Sequence, residues 1–384
     1  MSGAVAARTR PVRREALALL AGGALAMLAG LTGALVLLGV SMPPATTSLA
    51  ASHGVLMALG FLGTVIALER AVALDRTWGY LSPGASAAGV VLALAGQPVA
   101  AAGAFAVAGL GLLAVYAALA MIERSLQLAV QVSGGGAWLV ASVVLLVGMP
   151  VTLATPWMAA FLVLTVAGER LDLARLGGLP ARSRRLFIVI WGWFMIGISV
   201  VVLSPDLGVR LAGTGLLALT VWFARNDIAR RTVRIAGVTR YIALCLLTGY
   251  VWLAVAGVVW VGGGMESTMI WMDLRLHALF LGFVISMVFG HAPVIVPALL
   301  RVPLPYKPWF YVHLALLHAG LVVRLTGDLL SISDIRIVGG VMNVSAILLF
   351  VVTSVTASAS EARRRRRLVA KGAAARAATG GVVA

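Results

Sequence analysis

Uncharged apolar runs of about twenty residues recur from one end of this chain to the other. A spanning helix needs roughly 20 apolar residues, because the hydrocarbon core is about 30 Å thick and a helix rises about 1.5 Å per residue. At that depth no water bonds the backbone, so each run must close its own hydrogen bonds as a helix. The sequence predicts twelve spans, near 16–40, 50–70, 83–98, 100–121, 134–150, 154–173, 186–204, 208–224, 240–262, 271–292, 308–326 and 337–357. The third, fifth, seventh, eighth and eleventh are short or interrupted. Helix breakers fall between the runs, at Pro43-Pro44, Gln97-Pro98, Met149-Pro150 and Ser204-Pro205. The fold class that follows is all-α, a polytopic membrane helix bundle. It divides into a cytoplasmic N-terminal tail 1–15, a single transmembrane domain 16–357 and a basic cytoplasmic tail 358–384. Twelve spans in 384 residues leave no room for a soluble domain. The first apolar run follows Arg8–Arg14 and is about 24 residues long, too long for the core of a secretory signal, so it counts as the first span.

Composition excludes the competing classes. Only 11% of residues are charged and the mean hydropathy is +1.04, against about 25% charged in a soluble domain. The net charge of +17 invites a nucleic-acid reading. The basic residues, however, lie in short groups between the apolar runs, which is the membrane pattern, and no nucleic-acid partner is expected. With the N-terminus inside and strict alternation, 26 of the 30 basic residues fall on the inner side. Only Arg210, Arg275, Arg324 and Arg336 fall outside. This asymmetry predicts both termini in the cytoplasm. The Arg363–Arg367 run directly after the last span reads as an anchor for anionic lipid rather than a nuclear tag. Three spans end alike, at Glu69-Arg70, Glu123-Arg124 and Glu169-Arg170. The pattern fits either an internal repeat of helix hairpins or repeated use of a good interfacial anchor.

The single cysteine, Cys245, excludes a disulfide framework and a cysteine-based metal centre. Five histidines remain: His53, His277, His291, His313 and His318, all inside or at the edge of a span. Ionisable groups at membrane depth are costly and by default functional, and neutral imidazole is the commonest metal ligand. Depth sorts the five into an outer pair, His53 with His277, and an inner trio, His291, His313 and His318. The trio predicts a polar cluster of His291 with His313 or His318, either hydrogen-bonded or holding copper or a second haem. His313 and His318 are five apart and point about 140° away from each other on a helix. Two histidines from two helices at one depth suit an axially ligated haem, with Gly54, Gly60, Gly63 and Gly282 giving room between helices. The spacing equally allows two unrelated interfacial histidines.

The segments His53-Gly54-Val55-Leu56-Met57 through Gly60-Phe61, and His277-Ala278-Leu279 through Gly282 to Gly290-His291, resemble the two histidine segments of the NnrS proteins. Those are polytopic haem- and copper-containing membrane proteins linked to nitric oxide metabolism. The wider resemblance is to the twelve-helix subunit I of haem-copper oxidases and nitric oxide reductases, whose low-spin haem is held by one His of helix 2 and one of helix 10. The resemblance implies haem b, with copper as a further metal, in a bacterial inner membrane. It implies a role in nitric oxide stress or membrane electron transfer, with nitric oxide or a redox protein as partner beside the lipid bilayer. It places His53 and His277 on the iron. Arg275 beside His277 then suits a haem propionate, since guanidinium grips carboxylate in two-pronged fashion. Ser52, Asp273 or a backbone carbonyl would hold the far ring nitrogens. Helices 6 and 7 carry none of the copper-ligating histidines of that superfamily, so any second metal must use His291, His313 or His318. Two other functions compete. One is a twelve-helix secondary transporter, although no acidic residue lies mid-span to couple an ion. The other is an assembly factor that hands metal to another complex.

Overall fold

The computed structural model describes residues 14–265 and 268–380. Arg8, Arg10 and Arg13 of the N-terminal tail lie outside the described residues. Long helices follow one another through short turns: α1 (Arg14–Leu37), α2 (49–74), α3 (Leu81–Leu94), α4 (Pro98–Ile122), α5 (Leu126–Leu146) and α6 (Val151–Leu176). Then come α7 (Ala181–Val200), α8 (Pro205–Asn226), α9 (Val238–Gly263), α10 (269–300), α11 (Phe310–Leu329) and α12 (Ser333–Gly380). Among the described residues, eleven helices are long and apolar enough to cross a membrane. The one that falls short is α3, with 14 residues.

Packing shows that α3 nevertheless forms a return beside α4. Ser82 at its start bonds the carbonyl of Ala108 in α4 at 2.8 Å, and Gly89 lies against Phe105, so the two helices are antiparallel. The C-terminal ends of α2, α4 and α6 accordingly meet at one end of the bundle. Arg70 bonds Glu169 at 2.7 Å, Gln127 bonds Asp172 at 3.0 Å, and Arg175 lies 3.9 Å from Glu123. Call this the basic end. Consecutive helices form hairpins in the same way. Gly208 of α8 sits on the backbone of Val201 just past α7, and Gly327 of α11 on that of Arg336 in α12. Such close approaches are how apolar helices pack without a hydrophobic drive between them.

Two helices depart from α geometry. α2 is α-helical over Leu49–Val55, π-helical over Leu56–Gly63 and α-helical again from Thr64. α10 does the same, with a π segment over Ala278–Ile285. Each π segment follows a candidate histidine and carries Gly-Phe in its second half, at Gly60-Phe61 and Gly282-Phe283. Each is closed by a hydroxyl bonded four residues back: Thr64 to the Gly60 carbonyl at 2.5 Å, and Ser286 to that of Gly282 at 2.6 Å. α2 and α10 thus share one local pattern, in whose register His53 corresponds to Arg275 rather than to His277. In that register Glu69 corresponds to His291. π turns are rare and concentrate at functional sites.

The glycines of these segments make close packing rather than open space. A Cβ on Gly63 would meet the Trp138 ring at 2.7 Å, Gly60 faces Ala26 and Val90, and Gly282 abuts Trp252. Of the four glycines expected to make room, only Gly54 has open space around it.

Candidate functional site

A cavity of about 230 Å³ opens in the half of the bundle away from the basic end. His53 and Gly54 line it from α2, Asp273 and His277 from α10, Arg324 from α11, and Arg336 and Asn343 from α12. Most of the remaining wall is apolar, with Leu31, Leu38, Phe280 and Ile347, and three methionines, Met57, Met158 and Met272, also border it.

Both rings are oriented by their Nδ1 atoms. His53 Nδ1 lies 2.7 Å from the Gly30 carbonyl of α1. His277 Nδ1 lies 3.0 Å from Asp273 Oδ1 and 3.1 Å from the Asp273 carbonyl. Carbonyl and carboxylate oxygens only accept, so in each ring Nδ1 carries the hydrogen and donates. A neutral ring of that tautomer presents a lone pair at Nε2. Among the described residues neither Nε2 has a hydrogen-bond partner. The two side chains therefore offer unspent donor nitrogens to one apolar-walled cavity, each held by the sort of outer partner that metal-bound imidazoles use.

Asp273 is itself fixed. Arg324 Nε and Nη2 donate to its two oxygens at 2.8 and 2.6 Å, a two-pronged pair buried between α10 and α11. Arg336 lies 4.0 Å from Asp328. It also lines a second, outer hollow formed with Gly327, Ser331 and Ser333, so it stands between that hollow and the cavity. Arg275 does not line the cavity. The helical turn carries its side chain to the opposite face of α10, where its Nη1 donates to the Gly264 carbonyl at 2.5 Å. The guanidinium groups at the cavity are those of Arg324 and Arg336.

The other three histidines part company. His313 is fully buried, with Nε2 2.9 Å from Tyr241 Oη and its ring among Phe289, Phe310 and Phe350. His318 Nδ1 accepts from the Trp252 indole at 2.9 Å. His291 turns to α6, with Nε2 2.7 Å from Arg170 Nη2 and 3.5 Å from Glu169 Oε2. No hydrogen bond joins His291 to His313 or His318 among the described residues, because His291 turns to α6 whereas His313 and His318 bond Tyr241 and Trp252 of α9. No group of three or more His, Cys, Asp or Glu able to hold a metal ion occurs among the described residues.

Sequence reasoning missed Arg324, Arg336, Glu169 and Arg170 as site residues. The signal for the last two was present in the Glu-Arg repeat. Two of its three copies, Glu69-Arg70 and Glu169-Arg170, join one buried network, whereas Glu123 pairs with Arg175 on the surface. The Gly-Phe-x-x-Thr/Ser repeat of α2 and α10 was equally readable.

No curated protein and no solved structure matches the chain. A model of a domain of unknown function, DUF8744, matches residues 16–359. That match takes in the twelve helices apart from the first two residues of α1 and the C-terminal part of α12, and the chain accordingly belongs to the DUF8744 family.

Proposed function

We propose that this is a haem-carrying membrane protein in which His53 and His277 would hold the iron of a haem b. The observation that carries the reading is the pair of free Nε2 atoms presented to a single apolar cavity, each ring fixed through Nδ1. Bound there, such a haem supplies one-electron redox chemistry. The chain's own part is orientation and electrostatics. The Gly30 carbonyl and Asp273 hold the tautomers that ligate. Arg324 keeps Asp273 anionic and so raises the donor strength of His277. Arg336 offers a cation for a propionate at the outer side. The apolar walls exclude water. Together with the resemblance to NnrS proteins, this supports a role in nitric oxide metabolism or membrane electron transfer. The basic end is taken to face the cytoplasm of a bacterial inner membrane, with both termini on that side.

One observation favours a second reading. Met57, Met158 and Met272 border the same cavity, and two imidazoles with thioethers form a soft donor set suited to Cu(I). A reduced-minus-oxidised spectrum of detergent-purified protein, with metal analysis, separates the two. Haem gives a Soret band, and copper without haem gives none. His53→Ala and His277→Ala should each abolish the low-spin spectrum, and His313→Ala should leave it intact. Full haem content in the His53→Ala/His277→Ala double variant would overturn the haem assignment. Protein that binds neither haem nor copper would return the chain to the transporter reading.

A further inference from the structure

The opposite half of the bundle holds a second constellation that the cavity does not use. At the basic end Arg70 Nη2 bonds Glu169 Oε1 at 2.7 Å and Glu69 Oε1 at 3.1 Å. Arg170 Nη2 bonds His291 Nε2 at 2.7 Å, and its Nη1 lies 3.9 Å from Asp227 Oδ2. Asp227 is completed by Tyr250 Oη at 2.6 Å and the Ala229 amide at 2.7 Å. Tyr116 of α4 and Cys245 of α9, which packs against Gly290, are the remaining titratable neighbours. Arg170 is 4% exposed and Tyr116 is fully buried, yet Arg170 Nε and Tyr116 Oη have no hydrogen-bond partner.

The charges do not balance. Ionised in full, the three acidic groups Glu69, Glu169 and Asp227 outnumber the two guanidiniums, Arg70 and Arg170, in a setting of low dielectric. One further positive charge neutralises the group, and buried charge without compensation is strongly disfavoured. His291 is placed to take it. Its Nδ1 donates to the Met287 carbonyl at 2.6 Å, so Nε2, which accepts from Arg170, is the free basic atom. A proton on Nε2 ends the bond from Arg170, since a donor cannot accept, and sets two cations face to face. The new N–H then has an acceptor at Glu169 Oε2, 3.5 Å away. Arg170, displaced, has Asp227 beside it.

We infer that this cluster is a proton-binding site served from the basic end, in which His291 exchanges Arg170 for Glu169 as the proton arrives. The proton comes from solvent at the basic end by way of Glu169, whose side chain is 19% exposed and lies 3.5 Å from His291 Nε2. It forms the His291 Nε2–H bond and leaves by the same route. The site lies outside the cavity, so it stands whether or not that cavity carries haem.

The test is ¹⁵N-histidine NMR of the full-length protein in lipid nanodiscs, from pH 5.5 to 8.5. The His291 signal is assigned as the one lost in His291→Asn. In the unsubstituted protein it should pass from the neutral Nδ1–H form to the doubly protonated form as pH falls. Glu169→Gln removes the surplus negative charge, and the ratio of doubly protonated to neutral form at pH 6 should then drop about tenfold, the effect of one pK unit. A His291 signal that stays neutral throughout in the unsubstituted protein would overturn the inference without any variant needing to fold. A folded Glu169→Gln protein whose His291 behaves as before would overturn the role of Glu169 and with it the exchange.

Discussion

Asp273 carries more of the site than either histidine. It is the partner of His277 Nδ1 and the counter-ion of Arg324. Asp273→Asn should destabilise the protein by about 3–5 kcal/mol, since Arg324 is left as a buried cation without its carboxylate. The same change should loosen the His277 ring and weaken haem retention. Thermal unfolding in detergent reads the first effect and the Soret absorbance the second. Asp273→Leu combined with Arg324→Met removes both charges together and should cost much less than either single change. A double variant whose loss equals the sum of the losses of Asp273→Leu and Arg324→Met would show that the pair is not coupled. The histidines themselves were legible in the sequence because membrane depth is countable along a helix. Arg324 was not, because its meeting with Asp273 depends on how α11 turns against α10, and no periodicity in either segment specifies that angle. Arg275, the sequence's choice, differs from His277 by two positions, and two steps of about 100° send it to another face.

Helix ends show where hydropathy stops being informative. The fifth span was expected from residue 134, yet α5 begins at Leu126. Its first two turns contain Gln127, Gln131 and Ser133, which read as loop by polarity. They are helical because Ser125 caps the Leu128 amide at 3.3 Å and because Gln127 and Ser133 find partners in Asp172 and Trp191. α12 likewise continues to Gly380 rather than ending near 357. Its Ala- and Arg-rich continuation favours helix on propensity alone. The π segments were invisible, since a shift in hydrogen-bond register changes no residue type. They make a test at this scale. Gly63→Val places new carbons against Trp138 and should cost about 1–3 kcal/mol by overpacking. Gly54→Ala meets nothing within 4 Å and should leave stability unchanged or slightly raised, as expected for Gly to Ala within a helix. Unfolding midpoints of the two variants decide the matter. Equal midpoints would mean that the Trp138 contact yields without strain.

At the scale of the molecule, the sequence's alternation of charge and the contacts at the basic end describe the same arrangement. Arg70, Glu123 and Glu169 lie at one end of the bundle because α3, with its 14 residues, returns antiparallel to α4. Reporter fusions after Arg70, Arg185 and Lys371 should read cytoplasmic, and one after Pro44 external. A cytoplasmic reading at Pro44 would break the map. The polytopic helical bundle was legible because apolar runs alternate with basic turns, although eleven rather than twelve of the described helices are long and apolar enough to span. The gathering of α1, α2, α6, α10, α11 and α12 around one cavity was not, because helices distant in sequence share no signal of contact.

One helix, α10, bears His277 at one of these sites and His291 at the other, fourteen residues apart. That separation is about 20 Å of rise, some two-thirds of a hydrocarbon core about 30 Å thick. In an energised bilayer the two positions therefore sit at different electrical depths. An elementary charge crossing the full thickness exchanges about 2.3 kcal/mol with each 100 mV of transmembrane potential, so one displaced between these positions exchanges about 1.5 kcal/mol. If the two proposals hold, an electron reaching the site of His277 and a proton reaching that of His291 would be events of unequal voltage sensitivity, set by the geometry of a single rod.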